Sequence, residues 1–156
     1  MTDREESFDQ PGTPEEPKGH YIFDKPEPLW NFGHGKSYTT FDYVDCALSD
    51  TLLVASDTLK VSVTIKNTGR RDGKEVVQLY VRDKVSTVAT PIQQLKAFQK
   101  VLIKPGESQC VELSLPIAEL ALYNAKMEEV VEPGDFEIQI GAASDDIRFK
   151  KTITIN

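Results

Sequence analysis

Several stretches of this chain alternate apolar and polar residues with a period of two, and that pattern confines it to strands with one dry face and one wet face. In LKVSVTIKN, Leu59, Val61, Val63 and Ile65 fall on one side, and Lys60, Ser62, Thr64 and Lys66 on the other. QCVELSLPI repeats the pattern with Val111, Leu113 and Leu115, FEIQIG with Phe136, Ile138 and Ile140, and FKKTITIN with Phe149, Ile153 and Ile155. The run EVVQLYVRD differs. Val77, Leu79 and Val81 share a face, but Val76 and Tyr80 lie opposite, so this strand is expected to be covered on both sides and central in its sheet.

Turn chemistry separates these runs. Asn67–Gly73 (NTGRRDG), KPGES and EPGD are rich in the residues that reverse a chain. With a first strand from about Thr39 to Leu48 and another in IQQLKAFQKVLI, the pattern predicts seven antiparallel strands. Only IAELALY suggests a short helix or irregular connection. Seven short strands joined by turns favour a two-sheet, all-β sandwich, placed over residues 38–156. Its predicted core is Val61, Val63, Ile65, Val77, Leu79, Val81, Val111, Leu113, Leu115, Phe136, Ile138 and Ile140.

Ahead of the sandwich the pattern breaks down. Residues 1–18 combine acidic side chains with three prolines and almost no aliphatics, too little apolar surface to offset the entropy of ordering, and read as a flexible acidic linker. Residues 19–37 mix prolines with large apolar side chains and read as an extended aromatic segment.

Charge and composition narrow the chemistry. A net charge of −7, with 18 basic residues scattered rather than striped, speaks against nucleic acid as a partner. No apolar run reaches membrane-spanning length, so no membrane contact is expected. Cys46 and Cys110 lie far apart, each within a strand-like run, and read as buried free thiols rather than a disulfide, a zinc site or a redox pair. With only His20 and His34 present, a histidine-rich metal site is ruled out, and no cofactor motif occurs. GHGKS, from Gly33 to Ser37, lacks the strand-turn-helix setting of a nucleophile elbow and the length of a phosphate loop. NTGRRDGKE lacks the ligand pattern of a calcium loop. The acids Asp72, Glu75, Asp83, Glu107, Glu132, Asp135, Asp145 and Asp146 all fall in or beside expected turns, where carboxylates stay solvated, so no catalytic residue is assigned.

Taken together, FGHGKSYTTF, VTIKNTGRRDGKEVVQLYV, PIQQLKAFQKVLIKPGES and VVEPGDFEIQIGAASDDI resemble, in order and spacing, the C-terminal fibronectin type III-like domain of family three glycoside hydrolases, the β-glucosidase and β-xylosidase group. The likeness runs from about residue 19 to 156, with Lys36 standing where the family usually has leucine or a similar apolar residue. The resemblance implies an immunoglobulin or fibronectin type III-like sandwich, and a bacterial parent enzyme that is periplasmic or secreted. It also implies that catalysis belongs to an upstream barrel and an α/β sandwich domain of the same polypeptide, so that this chain is not an enzyme by itself.

On that footing Tyr21, Phe23, Trp30, Phe32, His34 and Tyr38 form an interdomain docking set, and the domain taken alone is expected to be a monomer. Tyr38, Phe41 and Tyr43 also fall in or beside the first strand, where core or inter-sheet packing is the competing role. The alternative is an independent carbohydrate-binding or adhesion module, with weak sugar contact through an exposed row of Tyr21, Trp30 and Phe32.

Overall fold

A computed structural model describes residues 32–84, 93–123 and 126–156. Ten strands follow in order: β1 Phe41–Leu48, β2 Leu52–Leu53, β3 Thr58–Asn67, β4 Gly73–Asp83, β5 Gln94–Ile103, β6 Ser108–Pro116, β7 Leu122–Tyr123, β8 Glu129–Val130, β9 Gly134–Ala143 and β10 Asp146–Ile155. The linker expected over residues 1–18 and most of the segment 19–37 lie outside the described residues.

The alternating runs pair as two sheets, one in the order β1-β3-β6 and one in the order β2-β10-β9-β4-β5. All seven strands expected from the alternation are present. Three short ones join them. β2 pairs in parallel with β10, which departs from the all-antiparallel expectation, and β7 and β8 make a two-stranded ribbon. The parallel pair arises because the chain leaves β1 at the edge of one sheet and crosses directly to the edge of the other. As expected, IAELALY supplies a short helix, a 3-10 turn over Ile117–Leu120, and then β7.

Period-two burial carries the packing. All twelve predicted core residues are buried, joined by Leu59, Ile103, Ile117, Ile153 and Ile155 from neighbouring positions on the same inner faces. As expected, β4 lies inside its sheet, between β5 and β9, and its outward Gln78 and Tyr80 are buried as well. The cysteines divide. Cys46 is buried, but Cys110 is exposed, correcting the expectation of two buried thiols. Val111 and Leu113 take the inner face of β6, so strand geometry turns Cys110 outward opposite Thr64. Both thiols are free.

The Asn67–Gly73 turn is built around one buried side chain. Asn67 donates from Nδ2 to the carbonyls of Arg71 and Ile103, each at 2.8 Å. Its Oδ1 accepts from Thr39 Oγ1 at 2.8 Å and from the Gly69 amide at 3.0 Å. One amide thus fills its hydrogen-bonding capacity while joining β3, the turn, the end of β5 and the residues that precede β1.

Candidate docking face

Residues 32–40, ahead of β1, do not run free of the sandwich. The Phe32 carbonyl accepts from the Ser144 amide at 2.9 Å, and the Gly33 carbonyl accepts from Gln78 Nε2 at 3.0 Å. Gln78 Nε2 also reaches the Ala142 carbonyl at 2.7 Å, and the Tyr80 hydroxyl donates to Gln78 Oε1. Gln78 and Tyr80 therefore hold the chain against the outer face of the five-stranded sheet. Gly33 is required there. Its φ is +80°, and a β-carbon on it would sit 2.1 Å from Gln78 Oε1.

From Gly33 the chain turns around the end of the sandwich. Gly73, at the start of β4, lets it pass closely, since a β-carbon there would meet the Thr39 side chain at 2.2 Å. An open groove remains between this wrap and the first residues of β4 and the last of β5, lined in part by His34, Tyr38, Lys74, Lys100 and Leu102.

The large apolar side chains left wet are unevenly distributed. Phe32 is 67% exposed and Tyr38 92%, so Tyr38 takes no part in core or inter-sheet packing. Phe41 and Tyr43, with which it was grouped, do pack against the core. Phe98 and Leu102 are 68% and 53% exposed, and they stand on the outer face of β5 opposite Gln78 and Lys74 of β4. The other sheet differs. The outward residues of β3 and β6 there include Lys60, Ser62, Thr64, Cys110, Glu112 and Ser114, and Val44 on the bulged edge strand β1 is its one large exposed apolar side chain.

Of the six residues expected to dock, Phe32, His34 and Tyr38 are exposed, and Tyr21, Phe23 and Trp30 lie outside the described residues. Phe98 and Leu102 were missed by the sequence reading. The signal was present: in QLKAFQKVLI both faces carry large apolar residues, which a strand with one solvated face does not require.

Glu75 also departs from expectation. It lies within β4, half-buried, and its side chain enters the gap between the sheets rather than a solvated turn. The Tyr43 hydroxyl of β1 donates to Glu75 Oε1 at 3.0 Å, linking the two sheets. Burial pushes the Tyr43 hydroxyl far above its ordinary value, with the Glu75 charge adding to the shift. Burial also raises the Glu75 carboxyl, against the opposing pull of the Tyr43 hydrogen bond and Arg148. Arg148 sits 5.7 Å from the Tyr43 ring centroid and pairs with Asp146 at 2.6 Å. Among the described residues no group of three or more His, Cys, Asp or Glu side chains is placed to hold a metal ion.

Comparison with known proteins bears on what such a face serves. Residues 75–144 match the family described as fibronectin type III-like domain. A β-xylosidase of Formosa agariphila is 44% identical over 133 residues, which cover 84% of this chain and 18% of that protein. Thermostable β-glucosidase B of Acetivibrio thermocellus is 43% identical, covering 83% of this chain and 17% of that protein. Among solved structures, β-glucosidase 3B from Thermotoga neapolitana superposes with a TM-score of 0.75 at 44% identity, covering 82% of this chain and 17% of that one. A β-glucosidase from Erythrobacter marinus superposes at 0.78 with 39% identity, over 88% of this chain and 18% of that one. The chain thus spans less than a fifth of the length of these relatives. What it matches in all of them is the same portion of a larger enzyme: the chain carries the C-terminal fibronectin type III-like domain of the family three β-glucosidase and β-xylosidase group.

Proposed function

We propose that this chain is a non-catalytic accessory domain of a family three glycoside hydrolase, packing on and stabilising the barrel and α/β catalytic domains of the same polypeptide. The observation that carries the reading is an apolar cluster on one face: Phe32, Tyr38, Phe98 and Leu102 stay wet on or beside the groove, while the other large apolar side chains exposed among the described residues, Val44, Leu52, Val54 and Met127, lie on β1, on and just after β2, and between β7 and β8. An apolar cluster of that kind is costly to leave in water and marks a contact surface. The Gln78 and Tyr80 clamp supports the same role, since it holds the backbone of Phe32 and Gly33 at a defined place on the sheet.

Retaining glycoside hydrolysis needs two carboxyl groups about 5 Å apart across a sugar cleft. Glu75 is turned to the inter-sheet gap and occupied by Tyr43, and Asp146 is occupied by Arg148. Neither is disposed toward a bound sugar, so the chain alone is expected to leave nitrophenyl glucosides and xylosides intact.

The test is to replace Trp30 and Phe32 together with alanine in the isolated chain and in the longer polypeptide that carries it. Thermal unfolding of the isolated chain should barely change, while the longer enzyme loses stability or turnover. Unfolding of the isolated sandwich with the enzyme unaffected would overturn the proposal. So would loss of soluble glycan binding by the isolated chain, which would establish a carbohydrate-binding module instead. A reading frame that encodes no family three catalytic domains beside this chain would equally defeat it.

A further inference from the structure

We infer that the surface received by the outer face of β4 and β5 is acidic: an apolar ridge against Phe98 and Leu102, bordered by carboxylates that pair with Lys74 and Lys100. The inference rests on the accessory-domain reading and specifies the chemistry of the partner. In the register of the two strands Lys74 faces Leu102 and Val76 faces Lys100, so the two lysines occupy diagonal positions on one outer face. Diagonal side chains on a sheet stand about 7 to 8 Å apart and interact. Neither lysine has an ion-pair partner among the described residues.

Of the three carboxylates that line the groove, Asp72, just before β4, is exposed, and the other two are committed elsewhere. Asp146 pairs with Arg148, and Glu75 points between the sheets to accept from Tyr43. The groove lining thus carries Lys36, Lys74, Lys100 and Arg148 against Asp72, Glu75 and Asp146, a local basic excess. Residues 31–156 carry 17 acidic and 15 basic side chains, so this face is basic within a domain of slight acidic surplus. A basic excess beside the apolar ridge attracts an acidic partner and favours one docking orientation. Long lysine stems beside Phe98 and Leu102 extend the apolar surface and carry the ammonium groups to its rim. The length of the relatives supplies the occupant, since more than four-fifths of each lies outside the matched part and belongs to the same polypeptide.

The experiment compares the isolated chain with the longer family three polypeptide that carries it, using lysine acetylation, carbodiimide cross-linking of amines to carboxylates, and hydroxyl-radical labelling, all read by mass spectrometry. In the longer polypeptide Lys74 and Lys100 should lose most of their acetylation and should cross-link to Asp or Glu residues outside this chain. The pair Lys74→Glu and Lys100→Glu should lower the unfolding temperature of the longer polypeptide and leave that of the isolated chain unchanged. If Phe98 and Leu102 are protected from radicals while both lysines stay as reactive as in the isolated chain, the acidic partner is refuted and the accessory role stands. If the lysines and both apolar side chains are equally reactive in the two proteins, docking through this face is refuted and the accessory reading loses its support with it.

Discussion

Removing the Asn67 side chain should be among the most damaging single changes available outside the apolar core. Asn67→Ala deletes four hydrogen bonds at a residue with no solvent exposure. Thr39 and Gly69 are partly wet and can recover water, whereas the Ile103 carbonyl loses a partner in a buried position. At about 0.5 to 0.75 kcal/mol for each of the four neutral bonds, plus about 1 kcal/mol for the stranded acceptor, the loss comes to about 3 to 4 kcal/mol. With a urea slope of about 1.5 kcal/mol per molar, the unfolding midpoint followed by far-ultraviolet circular dichroism should fall by about 2 M.

Asn67→Asp sharpens the test, because it keeps the acceptors and replaces the donor with an oxygen facing two carbonyls. A protonated aspartate can still donate to one of them, so the folded state favours protonation and raises this carboxyl above its unfolded value of about 3.9. The variant should therefore come nearest to the wild type below that pH and lose stability as pH rises toward the higher folded value. A midpoint shift below about 0.5 M for the alanine variant, or a pH-independent deficit for the aspartate one, would refute the view that this amide joins the turn to both sheets.

Three further outcomes follow from the same structure. Glu75→Gln should stabilise the chain at neutral pH: burial holds the native carboxyl above its unfolded value, so the wild type is favoured below about pH 4.3 and loses that stability as pH rises through the folded value, a slope the variant should lack in urea titrations. Under native conditions a thiol reagent should label Cys110 promptly and Cys46 only after denaturant is added, and equal rates would contradict their opposite placement. Val63→Ala, at a fully buried position, should cost about 1 to 3 kcal/mol, and an unchanged denaturation midpoint would invert the face assignment of β3.

The strands and their inner faces were legible in the amino-acid pattern, because alternation is a local property: Val61, Val63 and Ile65 point one way whatever partner their strand finds. The pattern also determined that β4 is covered on both sides, since Val76 and Tyr80 break its polar face. The family was legible for the same reason, as its motifs are turns and strand starts with their residues in order. What the tertiary structure decided are relations between segments far apart in the chain. Nothing local in NTGRRDG announces that Asn67 will reach Ile103 and Thr39, 36 and 28 residues away. Glu75 looks like a turn acid until β1 brings Tyr43 against it. Phe98 and Leu102 join Phe32 and Tyr38 in one region only because β5 pairs with β4 and Gln78 clamps Gly33 to the same sheet. Periodicity tells each strand which side to bury, but which residues meet across the sandwich, and which face is left unfilled, depends on the pairing of strands that the chain reaches only by folding.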